Sequence, residues 1–349
     1  MFDAIVTYGC GILGLAAHGA SKQQFWLFVV RGAAVLLCFL ELLAVALADR
    51  SSTNEYGSNP FYMQIVLFLA AILTALVQFK FFRQYFSKIF TFFNWLITFK
   101  FIDVIKRKLS FSESFLRQTI FQVDSIPHLT AFYVLVTCYA YLFLGTDFTG
   151  MNMPVMPIPV PVQVEQLFNY NGLSLIIISL MGVGIFVSRK FKDCLNRLGL
   201  VSINKTQVII GISLIFMSFA YDLIWSLYTH NVPGQELALK LSNYNSGTFS
   251  VTGGLASSVV LALATALFAG VGEEVLVRGA LQPVFGIIPA GFFHGMLHAQ
   301  FSHAPIFILQ VSLWSIIMGM IKQRTNTTTT IIGHAGFNFL STFLFAFNP

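Results

Sequence analysis

Long apolar runs separated by short polar or basic segments make up most of the chain. Runs of about 17 to 25 apolar residues suit helices that cross a bilayer. Ten-residue runs of alternating polarity, which would indicate a membrane barrel, do not recur in the sequence. The pattern therefore predicts an all-α, polytopic transmembrane helix bundle with about eight or nine spans. The predicted spans are residues 25–47, 61–79, 129–144, 173–187, 208–227, 255–278, 281–301, 305–321 and 331–347, and residues 4–17 are apolar but short.

Composition agrees with this pattern. Hydrophobic residues make up 56% of the chain and charged residues only 10%, whereas soluble domains carry about 25% charged residues. We therefore expect a multi-pass integral membrane protein, in the plasma membrane if the chain is prokaryotic. The net charge of +6 does not indicate nucleic acid as a partner, because Lys and Arg concentrate in loops between spans. Membrane lipid is the partner that the composition predicts.

The basic loops divide the chain. Residues 80–117 are rich in Phe, Lys and Arg, which is typical either of helices lying on a membrane surface or of a basic cytoplasmic loop with one poor span. Residues 1–120 form an N-terminal part with no recognisable motif, and residues 121–349 form a second helix bundle. The candidate chemistry falls within residues 270–340, towards the cytoplasmic half by the positive-inside rule.

Two adjacent carboxylates interrupt one of the most apolar runs. A charged side chain at the centre of a bilayer costs roughly 2.5–3.5 kcal/mol on insertion scales, so such residues pair with one another or take part in function. Glu274 and Arg278 are four residues apart and can meet on one helical face. Glu273 points about 100° away and is free to face another group. The alternative is that both carboxylates are structural.

Two pairs of polar residues follow at helical spacing. His294 and His298 are four residues apart, as are His334 and Asn338, so each pair shares a helical face. Buried hydrogen bonds between helices would also explain such residues. A carboxylate base, an imidazole and two hydrogen-bond donors on three helices would instead activate a water molecule and stabilise an oxyanion. That combination predicts hydrolysis of an amide bond.

These residues carry a resemblance to a known family. Glu273-Glu274-Val-Leu-Val-Arg278 resembles the EExxxR motif of the CPBP family (CAAX protease and bacteriocin-processing, or ABI) of intramembrane proteases. His334-Ala-Gly-Phe-Asn338 resembles the HxxxN motif of that family. The FxxxH motif is matched at His298, with His294 in place of the Phe.

The resemblance implies a CAAX-protease-like core and an endopeptidase of membrane-associated peptides or lipidated proteins. It implies that Glu273 and a middle histidine activate water and that His334 and Asn338 form the oxyanion hole. Glu274 and Arg278 would hold the geometry of the site. Both His298 and His294 are candidates for the middle histidine, and the position of His298 before the next span favours it.

Three alternatives remain open at this point. We expect catalysis without a cofactor, but a zinc ion held by residues among Glu273, His294, His298 and His334 is the other possibility. A non-catalytic membrane scaffold or immunity-type protein would use the same bundle without chemistry. A proton-coupled transporter would use buried Glu and His residues as a relay.

Overall fold

The computed structural model describes residues 2–47, 60–106, 121–144, 164, 172–230, 254–298 and 305–347. These residues are almost entirely helical, and their β-structure is limited to an isolated bridge between Ile185 and Arg189. The described helices are α1 (Phe2–Ala20), α2 (Gln24–Leu47), α3 (Pro60–Leu76), α4 (Lys80–Lys106), α5 (Ile126–Leu144), α6 (Leu173–Gly182), α7 (Phe191–Leu198), α8 (Lys205–His230), α9 (Gly254–Phe285), α10 (Ile287–Met296), α11 (Pro305–Arg324) and α12 (Thr327–Phe347).

The all-helical class is confirmed, and several helices suit a membrane. Among the described residues, three helices are long and apolar enough to cross a bilayer, namely Gln24–Ala46, Lys205–Tyr228 and Gly254–Phe285. A fourth candidate is the pair α3 and α4, which meet at an angle of 110°. Eight or nine spans, as counted from the sequence, stay a prediction.

Two of the predicted spans have other bounds in the structure. The prediction of one span over residues 281–301 was wrong, because α9 continues to Phe285 and the chain turns at Gly286 before α10. Gly286 has φ 87°, a left-handed conformation that glycine adopts without steric cost. The span predicted over 173–187 ends at Gly182, and Gly184 (φ 84°) begins the turn that follows. Residues 299–301 lie outside the described part of the chain.

The N-terminal helices pack against the second bundle. Helix α1 lies against α6 and α2, and α3 lies against α5. One apolar cluster joins Ala17 and Val30 to Tyr133, Val277 and Phe285. Burying this shared surface holds the two parts of the sequence together, and the division at residue 120 stays a prediction.

Side-chain hydrogen bonds cap the N-termini of α8 and α12. The backbone N–H of Gln207 donates to the Asn204 side chain at 2.9 Å, and the backbone N–H of Asn204 donates to the Gln207 side chain at 3.1 Å, a reciprocal cap on α8. Asn326 accepts a hydrogen bond from the Thr329 backbone N–H at 2.9 Å and so caps α12. Helix α12 then packs along α8 and α9, while α10 pairs with α11. This packing brings the polar turns of α9, α10 and α12 together.

Candidate active site

Helix α9 changes its winding on both sides of the two carboxylates. A π-helical segment, Thr265–Gly270, precedes the α-helical turn Val271–Glu274, and a second one, Val275–Leu281, follows it. Hydrogen bonds of the i→i+5 type appear mostly as such local segments, frequently at functional sites. Each segment widens the helix and changes the direction in which the next side chains point, so the winding of α9 sets where Glu273 and Glu274 face.

A glycine lets α9 approach α12 closely. A Cβ atom added to Gly270 would lie 2.8 Å from the Cα of Ala335. Only a residue without a side chain fits at that separation. Since Ala335 follows His334 in sequence, this contact places the carboxylate turn of α9 directly beside the imidazole of α12.

Glu273 lies between two imidazoles. Its Oε2 is 2.8 Å from Nε2 of His294 on α10, and the same oxygen is 3.7 Å from Nε2 of His334 on α12. The Glu273 side chain is 16% exposed and that of His294 only 4%. One carboxylate oxygen therefore faces groups from two other helices in a nearly closed site, as the sequence analysis expected for this residue.

Glu274 faces a different set of groups. Its Oε1 is 3.1 Å from Nδ1 of His334, and its Oε2 is 3.4 Å from Nε of Arg278, both side chains being 1% exposed. Arg278 also donates from Nη1 to the Oγ of Ser315 on α11, at 2.9 Å. A buried ion is costly unless it has a partner. This cluster therefore ties α9 to α11 and α12 and satisfies the predicted pairing of Glu274 with Arg278.

His334 bridges the two carboxylates. Its Nδ1 is at hydrogen-bond distance from Glu274, and its Nε2 faces Glu273 at 3.7 Å. Sequence reasoning placed one carboxylate near this ring and did not anticipate the second. Sequence reasoning also missed Ser315, although a serine in the middle of the apolar run 305–321 was a signal that could have found it.

His298 lies one turn beyond His294 and makes a different contact. Its Nδ1–H donates to the backbone oxygen of His294 at 3.0 Å, and the two ring centroids are 5.2 Å apart. The sequence analysis favoured His298 as the middle histidine of the site. In the structure His294 makes the contact with Glu273, and the catalytic role of either histidine stays a prediction. Ligating atoms of Glu273, His294 and His298 all lie within 4.8 Å of one another.

Asn338 lies one turn after His334 on α12. The spacing puts both residues on one face of the helix. Among the described residues, the hydrogen bonds found do not connect the Asn338 amide to Glu273 or to the histidines; its backbone oxygen accepts a bond from Ser341 at 3.4 Å. The structure thus brings together Glu273, Glu274, His294 and His334, with Asn338 adjacent on the same helix.

A comparison with known protein families matches the segment that contains this cluster. The family model described as "Rce1-like: Type II CAAX prenyl endopeptidase Rce1-like" matches residues 255–340. Neither the curated proteins nor the solved structures that were searched gave a match. The matched segment runs from α9 to α12 and contains every residue of the cluster just described. Residues 255–340 of this integral membrane protein are therefore similar to the type II CAAX prenyl endopeptidases, in agreement with the resemblance carried by the EExxxR and HxxxN motifs.

Proposed function

We propose that the protein is an intramembrane endopeptidase that hydrolyses a peptide bond of a membrane-associated or lipidated substrate with an activated water molecule. The single observation that carries the proposal is the position of Oε2 of Glu273, 2.8 Å from one imidazole and 3.7 Å from another. A carboxylate held in this way, in a site of low exposure, suits a general base that accepts a proton from water and later returns it. In a prokaryote the protein would act in the plasma membrane.

In this proposal, Glu273 accepts the proton of the attacking water. His294 orients the carboxylate, because its Nε2 lies at hydrogen-bond distance from the oxygen that acts. The hydroxide so formed attacks the scissile carbonyl, and the bond to the amine breaks as the proton passes from Glu273 to the departing nitrogen. Positioned proton transfer of this kind contributes roughly 10²–10⁴-fold in rate.

His334 and Asn338 stabilise the oxyanion in this proposal. When both ring nitrogens of His334 carry a proton, Nδ1–H donates to Glu274 and Nε2–H is available to the oxyanion. The Asn338 amide, one helical turn away, supplies a second N–H donor. Glu274 and Arg278 are positioning residues, since they hold the His334 ring and the α9 turn without reaching the reaction centre themselves.

Zinc-assisted hydrolysis is the second candidate for the same reaction. One carboxylate and two imidazoles, those of Glu273, His294 and His298, are ligands that zinc accepts in kind and in number, and their ligating atoms lie within 4.8 Å of one another. A zinc ion bound there would supply a water molecule of lowered pKa.

The variant Glu273→Gln tests the proposal. It keeps the shape of the side chain and removes its basicity, so peptides released from membranes of cells with wild-type protein should be missing from cells with the variant. Comparison of the two membrane peptidomes measures this. The matched control is Asp222→Asn, which alters another partly buried carboxylate of the bundle, one that accepts a hydrogen bond from Gln310 at 2.8 Å.

The outcome also separates the rival classes of function. A non-catalytic scaffold would keep both its phenotype and an unchanged peptidome when Glu273 becomes Gln. A proton-coupled transporter would lose solute flux in proteoliposomes and release no peptides in either form. Peptidomes identical in wild-type and Glu273→Gln cells, with the protein folded in both, would refute the proposed peptidase activity.

A further inference from the structure

A separate cavity lies beside the Glu273 cluster. It has a volume of about 1090 Å³ and lies between α1, α5, α6 and α7 on one side and the ends of α9, α10 and α11 on the other. Its lining includes neither Glu273 nor any of the three histidines of the site. The proposed proteolysis therefore leaves this cavity without a role.

One part of the cavity wall is cationic. Arg189, Arg197 and Lys322 line it, and the lining contains no Asp or Glu among the described residues. None of the three makes an ion pair within the described part of the chain. Arg197 donates from Nη1 to the backbone oxygen of Gly279 at 3.1 Å, and Arg189 donates from Nη1 to that of Val183. One N–H of each guanidinium is used in this way, which leaves the rest of the donor fork for a ligand.

These cations lie close enough to disfavour one another. Burial, and after it the charge of Arg189, lowers the pKa of Arg197 to about 10. Burial lowers the pKa of Lys322, which follows the predicted span of α11, to about 8, and the charge of Arg197 adds to this. Holding like charges together without a counter-ion costs free energy. An anion placed among them would remove that cost.

Apolar side chains form a second part of the wall, beside polar ones such as Gln122, His128 and Asn196. Leu135 of α5, Leu175 and Ile178 of α6, and Phe293 and Leu297 of α10 and its C-terminal end contribute to it. A phosphate ion alone would leave most of this space and all of this apolar surface unfilled, since pockets of roughly 300–1,000 Å³ hold ligands of drug size. The ligand that fits has an anionic end and a long apolar body.

We propose that this cavity binds an anionic membrane phospholipid, with the phosphate among Arg189, Arg197 and Lys322 and an acyl chain along the apolar wall. Guanidinium groups bind phosphate oxygens in a bidentate manner. Basic pockets between transmembrane helices on the cytoplasmic side bind anionic headgroups. Residues 189–205 form a basic segment between the predicted spans 173–187 and 208–227, and the positive-inside rule predicts that such a segment is cytoplasmic.

The acyl chain would contact residues next to the candidate active site. Phe293 and Leu297 line the cavity and precede His294 and His298 directly in sequence, and Leu276 lines it one turn after Glu273. A lipid bound there packs against the same helical turns that carry the catalytic cluster. Lipid binding itself does not depend on the proposed proteolysis.

Native mass spectrometry of the delipidated full chain in neutral detergent tests the proposal. The probes are dioleoyl phosphatidylglycerol, inorganic phosphate, and a short apolar peptide with a free C-terminal carboxylate. The variants Arg189→Gln and Lys322→Gln each remove one cation and leave the Arg197 contact with Gly279 in place. Lys192→Gln is the matched control, because Lys192 is exposed on α7 and does not line the cavity. Thermal unfolding of each variant verifies that it is folded.

One phosphatidylglycerol molecule per chain should bind to wild type, to Lys192→Gln and to Glu273→Gln. Loss of one charged hydrogen-bond donor should weaken this binding roughly tenfold in Arg189→Gln and Lys322→Gln. Equal lipid binding by the folded cavity variants would overturn the proposal. Binding of inorganic phosphate as tightly as the lipid would also overturn it and would indicate a site for free phosphate. Binding of the peptide but not of the lipid, lost in the cavity variants, would overturn it as well and would indicate a site for a carboxylate.

Discussion

At the scale of single residues, the two carboxylates of α9 have different surroundings, which suit different tasks. Glu273 is partly exposed and faces imidazoles, whereas Glu274 is fully buried and faces Arg278 as well as His334. A nearly closed site strengthens each of these interactions, because the effective dielectric constant is lower than in water. The partly exposed carboxylate, Glu273, suits a catalytic role, and the buried one, Glu274, suits a role in holding the helices together.

The histidine that contacts Glu273 should matter more than its neighbour. His294→Ala removes the 2.8 Å contact with Glu273 and should lower the cleavage rate by about 10² or more. His298→Ala removes a hydrogen bond to the backbone oxygen of His294 and should have a smaller effect. Peptide release by the purified variants in proteoliposomes measures both. A greater loss in His298→Ala would assign the middle role to His298 instead.

The buried pair of Glu274 and Arg278 should control stability. Arg278→Met leaves the Glu274 carboxylate without its cation and should destabilise the folded protein by about 3–5 kcal/mol. The double variant Arg278→Met, Glu274→Gln should regain much of the lost stability, because this pair then leaves no buried charge without a partner. Unfolding midpoints in neutral detergent provide the comparison. Equal midpoints for the single and double variants would show that the pair is not coupled.

At the scale of helices, the site depends on how closely α9 approaches α12. The two helices meet where Gly270 lies against Ala335, and the π-helical segments on each side of Val271–Glu274 set the direction of the carboxylates. A helix of regular winding would turn Glu273 and Glu274 to other directions. The same short separation places His334 within reach of both carboxylates.

A single methyl group tests this contact. Gly270→Ala places a Cβ 2.8 Å from the Cα of Ala335, which should cost about 1–3 kcal/mol in stability. Because small displacements of catalytic groups lower rates strongly, cleavage should fall roughly tenfold or more. The matched control is Gly9→Ala on α1, where an added Cβ meets nothing within 4 Å. Wild-type cleavage by a folded Gly270→Ala variant would contradict the argument.

At the scale of the whole molecule, an N-terminal set of helices covers a family segment that occupies only residues 255–340. Helix α1 packs against α5 and α6 of the second bundle, and residues of all three helices line the cavity beside the site. The N-terminal part therefore helps to form a cavity that the matched segment does not enclose alone. This observation gives the first 120 residues a structural task that their sequence did not suggest.

Removal of metal distinguishes the two hydrolytic mechanisms in the intact protein. If Glu273 acts without a metal, prolonged dialysis against a chelator should leave peptide release unchanged, and elemental analysis should find no stoichiometric zinc. The zinc mechanism predicts loss of activity and its recovery on adding zinc. Glu273→Gln serves as the inactive reference in both conditions.

The sequence alone determined the all-helical membrane class, and it predicted the residues of a candidate site. Apolar runs can satisfy their backbone hydrogen bonds in lipid only within helices or closed barrels, and charged residues in such runs are too costly to be incidental. Spacings of four residues likewise predicted the pairing of Glu274 with Arg278, because neighbours on one helix are fixed by local geometry.

Only the tertiary structure decided which groups meet across helices. Which of His294 and His298 contacts Glu273 depends on the rotation of α10 relative to α9. The position of His334 between the two carboxylates depends on the π-helical winding and the Gly270 contact. The break at Gly286 and the cavity lined by Arg189, Arg197 and Lys322 likewise depend on how the helices pack together. Helix rotation and packing distance arise from contacts between distant parts of the chain, and periodicity within one segment carries no information about them.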